Sequence, residues 1–295
     1  MELRQLETFR AVATELSFTR AAASLDYAQS SVTAQIQALE AELGVKLFDR
    51  LGRRVAITDA GVRLLGYAER LLSLAEEART ALADGGVPAG TLTIGAPETI
   101  MTYRLPSVLR RFRTRFPRVR LVFRPTPNAE LQRAIGDGAL DVGFGLGEPM
   151  QTRSLAVELL GMEPLAIVAP PEHPLAGAAR VEAADLHGET VLLTRLGCGY
   201  RALFTSTLSA AGVQPASGLD FGSVEAIKQC VAAGVGIAAL PRAAVTSELS
   251  DGRLVALAWS GPPLAVATQL LWHPAKAWSP PLRAFLEIAR ESPTP

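Results

Sequence analysis

The sequence predicts an α/β chain with an all-α N-terminal part, and three observations carry that prediction. Apolar residues recur at helical spacing through the first 45 residues. One long helical pattern with a two-position apolar seam runs on from Asp59. Beyond Thr91, short β-rich runs alternate with helical ones. The 295 residues, at roughly 150 per domain, suggest two domains or three. With 48% apolar and 20% charged residues, the chain can bury sizeable cores, which excludes a disordered or collagen-like protein. Lys+Arg and Asp+Glu both total 29, so any nucleic-acid partner has to be met by a local patch.

The first helix is read from Leu6, Phe9, Ala13 and Leu16, one stripe at spacings of three and four. Ser17 offers an N-cap for a short second helix, Thr19 to Leu25. Asp26 to Gln29 makes a turn. The third helix, Ser30 to Leu43, buries Val32, Ile36, Leu39 and Leu43, and Gly44 closes it. Opposite that stripe lie Ser30, Thr33, Ala34 and Gln37, a small, nearly uncharged polar face suited to close approach to base edges. A short helix, a tight turn and a longer helix with such a face describe a helix-turn-helix; a plain three-helix subdomain is the alternative. Lys46 to Ile57 then gives two extended segments around Gly52, with Arg50, Arg53 and Arg54 at the tip. Residues 1–58 otherwise balance, with seven basic and seven acidic side chains in all. This β-hairpin wing therefore concentrates the positive charge that phosphate contacts need.

The stretch LRQLETFRAVATELSFTRAAASLDYAQSSVTAQIQALEAELGVKLFDRLGRRVAITDAG resembles, without a gap, the DNA-binding domain of the LysR-type transcriptional regulators. The resemblance implies a winged helix-turn-helix over 1–58, with Thr19, Gln29, Ser30, Ser31, Thr33 and Gln35 at or near the major groove and Arg50 and Arg53 on the wing. Many members carry Arg where this chain has Ala34, so one contact is absent and operator preference is not readable.

From Asp59 to about Asp84, Gly61, Leu64, Ala68, Leu71, Ala75, Ala78 and Leu82 form a heptad seam. Such a narrow seam favours a helix–helix dimer over packing on its own domain. The resemblance extends this to a tetramer built from two dimers. Asp84 to Gly90 is the hinge, so that 59–90 is a linker and 91–295 the rest.

In that remainder, Thr91–Gly95, Val119–Arg124, Asp141–Phe144, Leu165–Ala169, Val191–Leu193, Gly236–Leu240 and Ala267–Trp272 read as strands. Pro106–Phe116, Ala129–Gly136, Tyr200–Ala211, Val224–Ala233 and Pro280–Arg290 read as helices. The alternation predicts mostly parallel sheets. The arginines of RRFRTRFPRVR are the solvated face of a helix whose core stripe is Val108, Leu109, Phe112 and Phe116. Ligands in such sheets settle beyond strand C-termini, and four such junctions occur, at 97–102, 125–128, 194–201 and 221–225. Ser, Thr and Asn there are ordinary caps individually; four converging junctions would make a cleft.

This region resembles the effector-binding domain of the same family, itself similar to type 2 periplasmic binding proteins. The resemblance implies two lobes, 91–160 with 270–295 and 161–267, and a cleft lined by Thr99, Thr102, Thr126, Cys198, Tyr200, Arg201 and Ser223. If Arg201 faces the cleft, the effector is a small carboxylate or other anion; Arg201 as a surface residue stays open. The expected partners are promoter DNA, a small effector, a second copy of the chain and RNA polymerase.

Other chemistry finds little support. Cys198 near Arg195 and Arg201 could be a redox or nucleophilic thiol, but Cys230 lies 32 residues on in an apolar helix. A small-molecule or redox (Cys198) sensor without specific DNA binding is the alternative function. His173, His187 and His273 are scattered, no Cys/His spacing suits zinc, and Gly143-Phe-Gly145-Leu-Gly147 is only an echo of a dinucleotide loop. No enzyme, metal or cofactor is expected. Leu254 to Ala275 is broken by Gly261-Pro262-Pro263 and does not read as a membrane span. The charged N-terminus lacks a signal core, and two cysteines fit a reducing compartment, so the expected location is the cytoplasm.

Overall fold

The computed structural model describes residues 1–51, 54–83, 88–276 and 279–291. Helices α1 (Leu3–Glu15), α2 (Phe18–Ser24) and α3 (Gln29–Leu43) enclose a core of Leu6, Phe9, Val12, Ala21, Val32, Ile36 and Leu39. Ser17 caps α2, its Oγ accepting the Arg20 amide at 3.3 Å. Gly44 ends α3 at φ 68°, a conformation glycine takes without a Cβ clash. Two stripe positions fall outside the core: Leu16 is 46% and Leu43 38% exposed. Both sit at helix ends, where the chain turns away before their side chains can point inward; Val12 fills the α1 core instead.

Strands β1 (Phe48–Leu51) and β2 (Arg54–Ile57) pair antiparallel as the wing. Phe48 anchors it, its ring centroid 5.4 Å from Phe9 and 6.0 Å from Phe18. Thr58 starts helix α4 (Asp59–Ala83): its Oγ1 accepts the Gly61 amide at 3.0 Å and donates to the Lys46 carbonyl at 2.7 Å. A Cβ at Gly61 would lie 2.4 Å from the Leu47 carbonyl oxygen, so only glycine lets α4 rest on the wing root. Leu64, Leu65, Ala68 and Leu72 pack into the N-terminal core.

The single seam expected along α4 is thereby corrected. Gly61, Leu64 and Ala68 face their own domain, while Tyr67, Leu71 and Leu74 are 61%, 39% and 62% exposed. An α-helix drifts about 20° per heptad relative to a seven-residue repeat. One repeat read along the sequence therefore spans two faces, and α1 covers the first.

Beyond Pro88 the strands form a mixed sheet in the order β10-β6-β11-β5-β3-β4. Strands β3 (Gly90–Ala96), β4 (Val119–Pro125) and β5 (Val142–Gly147) are mutually parallel through β3. The long β6 (Ala156–Ala169) pairs antiparallel with β11 (Ala265–Trp272) over its first part, and with β9 (Ala238–Pro241) and β10 (Val255–Ala256) over its last. A separate parallel pair, β7 (Thr190–Thr194) and β8 (Ser217–Phe221), touches β9's side through Val191 and Ile237. The mostly parallel expectation is therefore corrected. One continuous strand, β6, serves both halves, and β11 brings the chain back antiparallel between β5 and β6.

Helices α5 (Glu98–Tyr103), α6 (Leu105–Arg115), α7 (Asn128–Gly136), α8 (Gly199–Ala210), α9 (Val224–Ala232), α10 (Arg242–Ser250) and α11 (Pro280–Arg290) cover these sheets. Phe112 of α6 and Phe144 of β5 meet across Phe285 of α11, with centroids 5.4 and 6.1 Å away. The arginines of α6 lie outside this core and are exposed. Gly143, Gly145 and Gly147 belong to the wholly buried strand β5 and form no nucleotide loop.

Candidate functional site

The outer face of α3 is the first candidate site. Gln29, Ser30 and Ser31 are exposed in its first turn, Thr33 is half-buried, and Ala34 and Gln37 are exposed. Thr19 on α2 donates to Gln29 Oε1 at 3.2 Å, tying the shorter helix to the start of the longer one. Gln35 turns the other way: its Oε1 accepts from the fully buried Thr8 hydroxyl at 2.8 Å, so it braces α3 against α1. That bond, rather than the exposed face of α3, is where this structure places its Oε1. Arg50 lies in β1, and Arg53 falls outside the described residues.

Glu40, on the inner side of α3, fixes the wing root. It is 8% exposed and accepts from Lys46 Nζ at 2.7 Å and from the amides of Leu47 and Phe48 at 2.9 and 3.3 Å. Burial pushes its carboxyl up, but these hydrogen bonds and the Lys46 charge outweigh burial and hold it below the usual carboxylate range.

The second site is a cleft of about 400 Å³ to which all four strand-end junctions contribute. Pro97 to Thr99 and Pro125 to Asn128 form one wall with Leu146; Thr194 to Cys198, Tyr200, Phe221, Gly222 and Val224 form the other. Thr99 Oγ1 and the Tyr200 hydroxyl lie 3.2 Å apart across it. Burial pushes the Tyr200 phenol up, so it stays protonated and able to donate. Thr126 Oγ1 donates to the Arg124 carbonyl at 2.8 Å, which leaves its oxygen able to accept. Asn128 clamps Leu146, taking its amide at 3.1 Å and donating to its carbonyl.

Three expected lining residues are elsewhere. Arg201 donates to Asp220 Oδ1 at 2.7 Å and to the Thr194 carbonyl, so its charge ties α8 to β7 and β8. Thr102 is exposed on α5, outside the lining. Ser223 sits at the rim and donates to Glu98 Oε1 at 3.2 Å, from one wall to the other. Beside it the 4% exposed Lys228 pairs with Glu225 at 2.8 Å and Glu248 at 3.0 Å, and Tyr103 donates to Glu225 at 3.3 Å. Burial pulls the Lys228 ammonium down, but its hydrogen bonds to the two carboxylates prevail and hold it above the usual range. These contacts hold α5, α9 and α10 together on one side of the cleft.

Comparison with known proteins places both parts of the chain in a family. The profile for the bacterial regulatory helix-turn-helix protein of the lysR family matches residues 3–62, and that for the LysR substrate binding domain matches residues 85–293. The chain belongs to the LysR family of transcriptional regulators. It is 43% identical over 293 residues to the HTH-type transcriptional regulator YwqM of Bacillus subtilis (strain 168), covering 99% of each chain. It also resembles a full-length OxyR variant of Pseudomonas aeruginosa, at 26% identity and TM-score 0.75, covering 99% and 94%. The same holds for full-length CbnR in complex with its target DNA, at 26% identity and TM-score 0.71, covering 99% and 100%.

In this LysR-type regulator the cleft holds charged groups that resemblance does not single out. Arg195 and Glu98 line it from opposite walls, and both are exposed. Arg195 directly follows β7, the position where α/β sheets present ligands, and that position is the signal the sequence offers for it. Glu98 opens α5, a helix that the sequence pattern does not separate from its loop. Cys198 lines the cleft as a free thiol, while the free Cys230 packs against the core from α9. Among the described residues, no group of three or more His, Cys, Asp or Glu side chains could hold a metal ion. No described helix is long and apolar enough to cross a membrane.

Proposed function

We propose that this regulator binds promoter DNA in the cytoplasm and that a small anion in the cleft modulates that binding. Thr19, Gln29, Ser30, Ser31 and Thr33 serve at the major groove, and Arg50 and Arg53 serve on the phosphates. The working units are 1–58 for DNA, 59–90 for dimerisation and 91–295 for the effector, the last in two lobes, 91–160 with 270–295 and 161–267. Two copies associate along the exposed stripe of α4, two such dimers form a tetramer, and RNA polymerase is a further partner. As a member of a family of transcriptional regulators, the chain acts through DNA binding rather than catalysis.

The observation that carries the effector reading is Arg195. It lines the cleft, and among the described residues no carboxylate pairs with it. Arg201, the cation first expected there, already pairs with Asp220. A guanidinium left without a partner in a partly apolar cleft attracts a carboxylate or phosphate. The ligand shifts the regulator only if it binds one arrangement of the cleft better than another.

The test follows the affinity of the full-length protein for the DNA upstream of its own gene while carboxylic and phosphorylated acids are titrated in. At least one acid should change the affinity or the length of DNA protected, and Arg195→Ala should abolish the response while leaving acid-free binding intact. A response that survives in Arg195→Ala removes Arg195 from the role, and no response to any acid contradicts an anionic effector.

A further inference from the structure

We infer that the effector is a zwitterion, a small molecule carrying an ammonium group as well as its anion, of which an amino acid is the simplest case. The inference rests on reading the cleft as the effector site.

Glu98 and Arg195 are the two charged side chains among the lining residues, and they stand on opposite walls. No ion pair joins them, so the charges do not neutralise each other directly. Ser223 occupies only one oxygen of Glu98, Oε1, and leaves the other free to accept. Arg195 lies against Gly222, where a Cβ would stand 2.8 Å from its Nη2; the missing side chain gives the guanidinium its seat. The same lining also holds neutral donors and acceptors, among them Thr99, Thr126 and Tyr200, together with the apolar Leu146.

This pattern discriminates by charge. A simple carboxylate satisfies Arg195 but leaves Glu98 facing an anion. A dicarboxylate lying along the cleft sets its second anion against Glu98, and a simple amine meets the opposite conflict at Arg195. A dipolar molecule satisfies both walls at once and bridges them, as Thr99–Tyr200 and Ser223–Glu98 already do in its absence. Closing the ligand over both walls excludes water from the two charges, so losing one charge-assisted contact costs roughly tenfold in affinity.

The test is calorimetric titration of the full-length protein with the common L-amino acids, each paired with the 2-oxo acid that lacks its ammonium group. At least one amino acid should bind at least about tenfold more tightly than its 2-oxo partner. Glu98→Gln, an isosteric change at an exposed site, should bring that ratio close to one by weakening the amino acid alone. Arg195→Gln should weaken both members of the pair. Tighter binding of the 2-oxo acids overturns the zwitterion while leaving the anion reading intact. A preference for the amino acid that Glu98→Gln does not change also overturns it. Binding of neither class overturns the zwitterion and the anion reading together. Circular dichroism of each variant separates loss of binding from loss of fold.

Discussion

Glu40 joins the recognition helix to the wing, and its chemistry makes that joint sensitive to acid. Its carboxylate takes two backbone amides and Lys46, and its pKa is lowered. A carboxylate with a depressed folded pKa contributes stability that is fully present above the unfolded value of about 4.3. That stability is lost as pH falls through the lower folded value. Glu40→Gln keeps one acceptor and loses the charge, which should cost about 1–3 kcal/mol at neutral pH. The difference in melting temperature between the two proteins should shrink as pH drops from 7 toward 3; a constant difference would remove the charge from the explanation. This brace is hidden in the sequence because a glutamate on α3 reads as surface, and its partners Lys46, Leu47 and Phe48 reach it only where the chain returns into the wing. Arg201 misleads for a related reason: its partner Asp220 lies on β8, a strand with a largely exposed burial pattern and no hydrophobic signal of its own.

Among elements, the junction of β5 with α8 sets how closely the cleft walls approach. A Cβ on Gly199 would fall 2.3 Å from the Gly147 Cα and 2.5 Å from the Leu146 carbonyl. These are backbone atoms that cannot swing aside, so Gly199→Ala must push α8 away from β5. The variant should fold, since the remaining core is untouched, but respond to effector only at much higher concentration; an unchanged dose response in a DNA-binding titration would show that this approach is not needed. Long periodic elements are the legible ones: α3, α6, α9 and α11 start or end within a residue or two of their expected bounds. The six-residue α5 and the two-residue β10 are too short to carry a period, and α10 has a weakly amphipathic sequence, RAAVTSELS. Pairing direction is not legible either, because β6 and β11 are joined by contacts more than 100 positions apart in the chain.

For the whole molecule, among the described residues, α4 carries exposed apolar side chains in register along one face. Tyr67, Leu71 and Leu74 are exposed at spacings of four and three, the seam that the proposed dimer buries. Two recognition helices carried by such a dimer reach half-sites about one duplex turn apart. Replacing Leu71 and Leu74 together by Glu should convert the assembly to a smaller species in sedimentation velocity and weaken operator binding by at least about tenfold. An unchanged sedimentation coefficient would move the interface elsewhere. Arg124 touches both parts of the chain: its carbonyl accepts from the cleft residue Thr126, and its side chain pairs with Glu69 of α4 at 3.4 Å.

Sequence-specific DNA binding by this assembly is the central claim, and one equilibrium measurement tests it most directly. The purified full-length protein is titrated against the DNA upstream of its own gene and against a shuffled fragment of equal length, over a series of salt concentrations. The account predicts tighter binding to the native fragment at every salt, with both affinities falling as salt rises because phosphate contacts release counterions. Equal affinity for the two fragments across the whole series would contradict it.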